Sequence, residues 1–160
     1  MKFLWIEKPT FTSDEVGNFI TRHYGFQGAL AALESERDQN FRVVEASGRQ
    51  SVLKIANCHE APDIVAYQVA ALDHIARTDP RLPVPRVIRT SNGDPVVWMA
   101  DGSGHRHAVH MLTWLDGDAV GECSRSGEQL RELGNILARL GIALRGFFHS
   151  AAGDRGLLWD

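Results

Sequence analysis

The chain has 160 residues, of which 44% are hydrophobic and 23% charged, and its 17 basic and 20 acidic side chains leave a formal net charge of −3. This size and composition suit a single globular domain with a substantial core, and they exclude a collagen-like chain, a coiled coil and a disordered tail. The slightly acidic balance argues against general binding to nucleic acid or to an anionic membrane surface.

We expect no signal peptide at the N-terminus. The apolar part of residues 1–7 is too short and too soon charged for a signal peptide, and no apolar run approaches the ~20 residues of a membrane span. We therefore expect a cytoplasmic protein that does not enter a membrane. In that compartment Cys58 and Cys123 are expected to remain reduced thiols.

The first predicted elements are a helix and a β-hairpin. Thr12 followed three residues later by Glu15 is a capping box, and Gly25 is the expected end of the helix. Apolar residues lie between them at helical spacing: Val16, Phe19, Ile20 and Tyr24. After a polar loop, residues 41–46 alternate like a strand and residues 51–56 are predicted to return beside them.

The second half of the chain predicts two more helices around three strands. A helix is expected over 62–77, with Gln68 as the one polar residue on its apolar stripe. Strands are expected over 87–89, 96–100 and 105–115, and a last helix begins at a second capping box at Ser126. The fold class is therefore α+β with an antiparallel sheet and flanking helices.

One lysine is the first candidate for chemistry. The chain has only three lysines, Lys2, Lys8 and Lys54, and Lys54 alone lies inside an apolar strand. An inward ammonium needs an anionic partner, whereas a lysine that reaches outward from a half-exposed strand needs none. The polar loop before Lys54 and Gln68 on the helix after it favour the functional interpretation. Loop, strand lysine and helix residue resemble the small-lobe parts of a protein-kinase-like fold, and that resemblance implies ATP phosphate as the anion.

Five segments of the chain form a recognisable set. They are L-E-S-E-R-D-Q-N-F-R-V at 33–43, V-L-K-I at 52–55, L-P-V-P-R-V at 82–87, L-T-W-L-D-G at 112–117, and the pattern from Leu133 to His149. These segments resemble the aminoglycoside phosphotransferase/choline kinase family, which has a protein-kinase-like fold, and are most similar to its hydroxylysine-kinase-like branch. Together they cover nearly the whole chain in the family's order.

The resemblance implies that the chain binds ATP, with Mg²⁺, through its N-terminal part. The phosphate-covering loop would be 35–40, Lys54 would contact the phosphates, Gln68 would orient Lys54, and main-chain groups of 113–115 would bind adenine. The implied nucleotide-binding residues are Ser35, Asp38, Gln39, Asn40, Lys54, Gln68, Thr113, Trp114 and Leu115. Two departures stand out, since the loop lacks G-x-G-x-x-G and Gln68 stands where many relatives carry Glu.

The family's catalytic motif, H-G-D-x-x-x-x-N, does not occur in this sequence. We therefore assign no catalytic residue and expect the metal ligands to lie outside these residues. Residues 1–115 are interpreted as a kinase-like N-terminal lobe, and 116–160 as the hinge exit and first helix of a large lobe whose remainder is absent. The chain is then expected to be inactive alone, as part of a kinase acting on a hydroxyl of an amino alcohol, hydroxy-amino acid or aminoglycoside.

The alternative function is a non-catalytic kinase-like module that binds a nucleotide or a protein. The resembled branch also occurs fused to pyridoxal-phosphate aminotransferases, so a larger fusion belongs to this alternative. A zinc site at His105, His107 and His110 is disfavoured, because no Cys or carboxylate lies at ligand spacing and alternation puts His110 on the opposite face. These histidines are expected to be exposed. The large-lobe-facing surface, including parts of 130–148, is expected to be apolar and to promote self-association.

Overall fold

The computed structural model describes residues 8–118 and 126–153. Cys123 and the end of the segment assigned to 116–160 lie outside the described residues. The helices are α1 (Ser13–Tyr24), α2 (Pro62–Thr78) and α3 (Gly127–Ala143), with a 3₁₀ turn at Ser150–Gly153. The strands are β1 (Gly28–Leu33), β2 (Gln39–Glu45), β3 (Gln50–Ile55), β4 (Val87–Ile88), β5 (Val97–Ala100) and β6 (Arg106–Thr113).

The six strands form one antiparallel sheet in the order β1-β2-β3-β6-β4, with β5 also paired to β6. The sheet has an outer face, covered by α1, and an inner face on the opposite side. The outer face carries the main core: Phe41, Val43, Leu53, Ile55, Val109 and Met111. Strand alternation places Asn40, Arg42, Lys54, Ala108, His110 and Leu112 on the inner face.

Helix α1 forms as its sequence predicts. Thr12 accepts a hydrogen bond from the Glu15 backbone while the Glu15 carboxylate accepts one from the Thr12 N–H, which completes the capping box. The four apolar residues predicted at helical spacing are all buried. Gly25 ends the helix with φ +75°, a left-handed conformation that glycine adopts without strain.

Strand β1 is a correction to the sequence prediction, which expected two strands before α2 rather than three. Its sequence, G-A-L-A-A-L, does not alternate between polar and apolar residues, so the sequence alone gives no strand signal. In the structure the segment is a strand because it pairs along its whole length with β2. Glycine at position 28 permits that pairing because it has no Cβ. Any other residue would place its Cβ 2.9 Å from the Val44 carbonyl oxygen, which is too close.

Helix α2 buries a slightly different stripe from the predicted one. Its buried residues are Ile64, Val65, Val69 and Ile75, so Gln68 lies half-buried at the border of that stripe. Val65 packs against Ala56 and Ala108, which places this helix beside the inner face of the sheet.

No helix in the described residues is both long and apolar enough to cross a membrane.

The sequence predicts that the three histidines at 105, 107 and 110 are exposed, and for two of them this is wrong. His105 is exposed, but His107 and His110 retain only 2% and 3% of their accessible surface. They lie on opposite faces, as strand alternation requires. His107 stacks edge-on against Phe11 under α1, and its Nδ1 lies 2.9 Å from the Ala56 carbonyl oxygen.

Candidate functional site

Lys54 lies on the inner face of the sheet, in a row of three polar side chains. Its direct cross-strand partners are Asn40 on β2 and His110 on β6. Lys54 is half-buried, and none of the ion pairs in the described part of the chain includes it. Because a partly desolvated ammonium is costly without a counter-charge, this row is suited to an anionic ligand.

His110 contributes a neutral imidazole to the row. Burial and, to a smaller extent, the positive charge of Lys54 lower its pKa from 6.5 to about 4, although the negative charge of Asp38 partly opposes both effects. At neutral pH the ring is therefore uncharged. Its Nδ1 is buried and has no hydrogen-bond partner among residues 8–118 and 126–153. The sequence analysis did not place His110 in the site.

Asn40 occupies the other end of the row. Its side-chain Oδ1 is buried and makes no hydrogen bond within the described residues. A buried polar atom without a hydrogen-bond partner costs about 1–3 kcal/mol, so two such atoms beside a lysine that makes no ion pair in the described residues are an uncommon cluster in a protein interior. The row thus offers a cation, a neutral imidazole and an amide to a ligand on the inner face.

Two of the other predicted loop residues, Ser35 and Asp38, are joined to each other. The Asp38 backbone N–H donates to Ser35 Oγ at 3.3 Å, which closes a turn of the loop between β1 and β2. The Asp38 Oδ1 atom accepts a hydrogen bond from the Asn57 backbone N–H at 3.1 Å. The loop is therefore fastened to the segment that follows β3.

Gln39 and Gln68 are not brought to Lys54 by any hydrogen bond in the described residues. Gln39 alternates with Asn40 and belongs to the outer face, where its amide donates to the Phe11 carbonyl and accepts from the Phe11 N–H, both at 2.9 Å. Gln39 therefore fastens the segment before α1. Gln68 remains half-buried on α2.

The predicted adenine-binding segment begins where β6 ends. The Thr113 N–H donates to the Arg86 carbonyl at 2.9 Å, and the Trp114 N–H donates to the Gln50 carbonyl at 3.4 Å. The Leu115 N–H has no backbone partner in the described residues, and the residue is 49% exposed. Of the three N–H groups, Leu115 is thus the one best placed to donate to a ligand.

Trp114 is held by an inner-face arginine. The Arg42 guanidinium lies 4.7 Å from the centre of the Trp114 ring, and its Nε donates to Gln50 Oε1 at 2.8 Å. This cation–π contact fixes the indole beside the sheet.

In the described ranges, no three His, Cys, Asp or Glu side chains come together in a way that would hold a metal ion.

Sequence comparison with known proteins finds phosphotransferases and kinases. Residues 29–160 match the phosphotransferase enzyme family. The chain is 31% identical over 155 residues to hydroxylysine kinase from Mus musculus, covering 89% of this chain and 41% of that protein. It is 27% identical over 171 residues to hydroxylysine kinase from Bos taurus, covering 97% of this chain and 45% of that protein.

Two solved structures share the fold. Amicoumacin kinase in complex with AMP-PNP, Ca²⁺ and Ami superimposes with a TM-score of 0.74 at 15% identity, over 88% of this chain and 42% of that one. A microcompartment-associated aminopropanol kinase gives a TM-score of 0.66 at 22% identity, over 92% and 45%. The chain thus spans less than half the length of these proteins, and the predicted kinase-like N-terminal lobe is confirmed as its fold.

Proposed function

The chain belongs to the phosphotransferase enzyme family, and from that premise we propose that it is the ATP-binding N-terminal portion of a small-molecule kinase. The parent would transfer the γ-phosphate of ATP to a hydroxyl group. The names of its relatives and structural neighbours favour a hydroxy-amino acid or an amino alcohol, and an aminoglycoside remains within the proposed class.

The observation that carries this proposal is the row of Asn40, Lys54 and His110. A half-buried lysine that makes no ion pair within the described residues fits a bound polyphosphate, and the Asn40 Nδ2 and the His110 imidazole beside it can donate hydrogen bonds to phosphate oxygens. Lys54 would contact the phosphates as a point charge, and Asn40 and Ser35 would supply neutral contacts. No observation in the described residues favours the alternative of a non-catalytic module.

We further propose that phosphoryl transfer requires residues that this chain does not contain. The transfer needs an aspartate to orient the acceptor hydroxyl and carboxylate or amide ligands for Mg²⁺. The motif that supplies them in this family is absent from the sequence. In this proposal, residues 1–115 bind the nucleotide, and residues 116–160 begin the large lobe, which completes the site and binds the acceptor.

The adenine end of the proposed site is tested at Leu115. Proline at this position removes the N–H, so Leu115→Pro is expected to weaken AMP-PNP binding about tenfold, the loss that one ligand hydrogen bond causes. Leu115→Ala keeps the N–H and is the matched control, with affinity expected within about twofold of the wild type. Isothermal titration measures both, and equal affinities for the proline variant and the wild type would remove Leu115 from the site.

A second proposal concerns the apolar surface of α3, defined here by Leu130, Leu133 and Leu137. These side chains are 51%, 43% and 58% exposed, while Ile136, Leu140 and Ala143, on the adjoining side of the helix, pack on Ile75 and Leu82. We propose that this surface contacts the rest of a large lobe in the parent and that it promotes self-association of this chain.

Sedimentation velocity tests the self-association. The wild type is expected to shift from its monomer mass of 17.7 kDa toward a dimer as its concentration rises. Leu133→Glu with Leu137→Glu should hold it at the monomer mass, because two charges make burial of the surface unfavourable. A wild type that stays monomeric at every concentration tested would contradict the proposal.

A further inference from the structure

The loop between β1 and β2 lacks the glycines that usually shape a phosphate-binding loop. No glycine occurs between Gly28 and Gly48, and no non-glycine residue in the described ranges has a positive φ. Glycine normally lets such a loop turn sharply and bring its backbone close to phosphate. In this chain the position of the loop must therefore be set by side-chain contacts.

Three contacts fasten the loop to residues 57–60, the connection between β3 and α2. The Asp38 carboxylate accepts from the Asn57 backbone N–H at 3.1 Å. The Asn57 Nδ2 donates to the Arg37 carbonyl at 3.5 Å, and the Arg37 guanidinium lies 3.7 Å from the Glu60 carboxylate. We call this set of contacts the loop latch.

Asn57, the residue that the loop latch holds on to, is buried and hydrogen-bonded within its own segment. Asn57 is 1% exposed, and its Oδ1 accepts a hydrogen bond from the His59 N–H at 2.9 Å, which fixes the start of the connection. Asn57 also lies only three residues after Lys54 on the same chain segment. The latch thus couples the loop to the strand that carries the candidate phosphate-binding lysine.

The charge of Asp38 argues against direct contact with a phosphate. Two anions at close range repel, and a carboxylate without a bridging metal makes a poor phosphate ligand. The Asp38 carboxylate instead already serves as the acceptor of the latch.

We propose that Asp38 is a positioning residue that holds the glycine-free loop over the row of Lys54 through the Asn57 N–H. This inference rests on the proposed nucleotide-binding function. It reassigns Asp38, which the sequence resemblance placed among the nucleotide contacts, from touching the ligand to fixing the loop that touches it.

Hydrogen exchange of the nucleotide-free protein tests the latch without any ligand. Asp38→Ala is expected to speed exchange in both 34–38 and 57–60 at least tenfold, whereas Asp38→Asn keeps an acceptor and should stay near the wild type. Glu34→Gln removes an exposed charge at the start of the same loop, outside the latch contacts, and is the matched control. Asp38→Leu, which is similar in size but has no acceptor, replaces the alanine variant if that protein does not fold.

AMP-PNP titration of the same variants separates positioning from contact. Asp38→Ala should bind about five- to tenfold more weakly, and Asp38→Asn should restore most of the affinity. Wild-type exchange rates in Asp38→Ala would overturn the latch. Tighter binding in both variants would also overturn it, because that result means the carboxylate faces the phosphates. A wild type that binds no AMP-PNP would overturn the proposed function, while the exchange rates still decide the latch.

Discussion

Replacing Lys54 with alanine is expected to weaken binding of Mg²⁺·AMP-PNP by about 100-fold. The ammonium is the one cation of the row it shares with Asn40 and His110, and a charge-assisted contact to phosphate in a partly desolvated site is worth about 2–3 kcal/mol. Isothermal titration of the variant against the wild type measures the loss.

Arg22→Ala is the matched control for this prediction. Arg22 is exposed at the end of α1, away from the row, and its replacement changes the net charge by the same amount. Its affinity is expected to stay within about twofold of the wild type. Equal affinities for Lys54→Ala and the wild type would show that the lysine does not contact the ligand.

The fold is expected to lose about 2–3 kcal/mol of stability between pH 7 and pH 4.5 because of His110. Its folded-state pKa is lowered to about 4, so the unfolded chain, with a pKa near 6.5, binds more protons between those values. This contribution to stability is fully present above about pH 6.5 and is lost as the pH falls toward 4.

Chemical denaturation of His110→Gln at the two pH values tests the effect. Glutamine cannot gain a charge, so its pH dependence should be smaller than that of the wild type by the amount that His110 contributes. His59→Gln is the control, because the His59 side chain is exposed and makes no ion pair in the described residues, so this variant should keep the wild-type profile. Parallel profiles for His110→Gln and the wild type would mean that the ring is not kept neutral by its surroundings.

The sequence predicts the parts of the fold that rest on local signals. The capping boxes at Thr12 and Ser126 and the apolar spacing of α1 depend on residues three or four apart, and the structure has all of them. The hairpin that carries Lys54 follows in the same way from alternation on both sides of a glycine turn. These features need no knowledge of what the elements pack against.

The parts that the sequence missed depend on pairing and on long-range burial. Whether Gln39 or Asn40 joins the row of Lys54 is decided by strand register, since a shift of one residue exchanges the two faces. His110 could be placed on the face opposite His107 by alternation, but its burial and its neutral state come from the surrounding sheet and from Lys54.

The central claim, that the row at Lys54 binds ATP phosphate, is tested most directly by an acyl-phosphate derivative of ATP, which acylates lysines next to bound phosphate. The chain is favourable for this experiment because its other lysines are only Lys2 and Lys8. We predict rapid acylation of Lys54 that excess ATP suppresses, with slow acylation of exposed Lys8 that ATP does not change. Acylation of Lys54 no faster than that of Lys8, or unaffected by ATP, would contradict the claim.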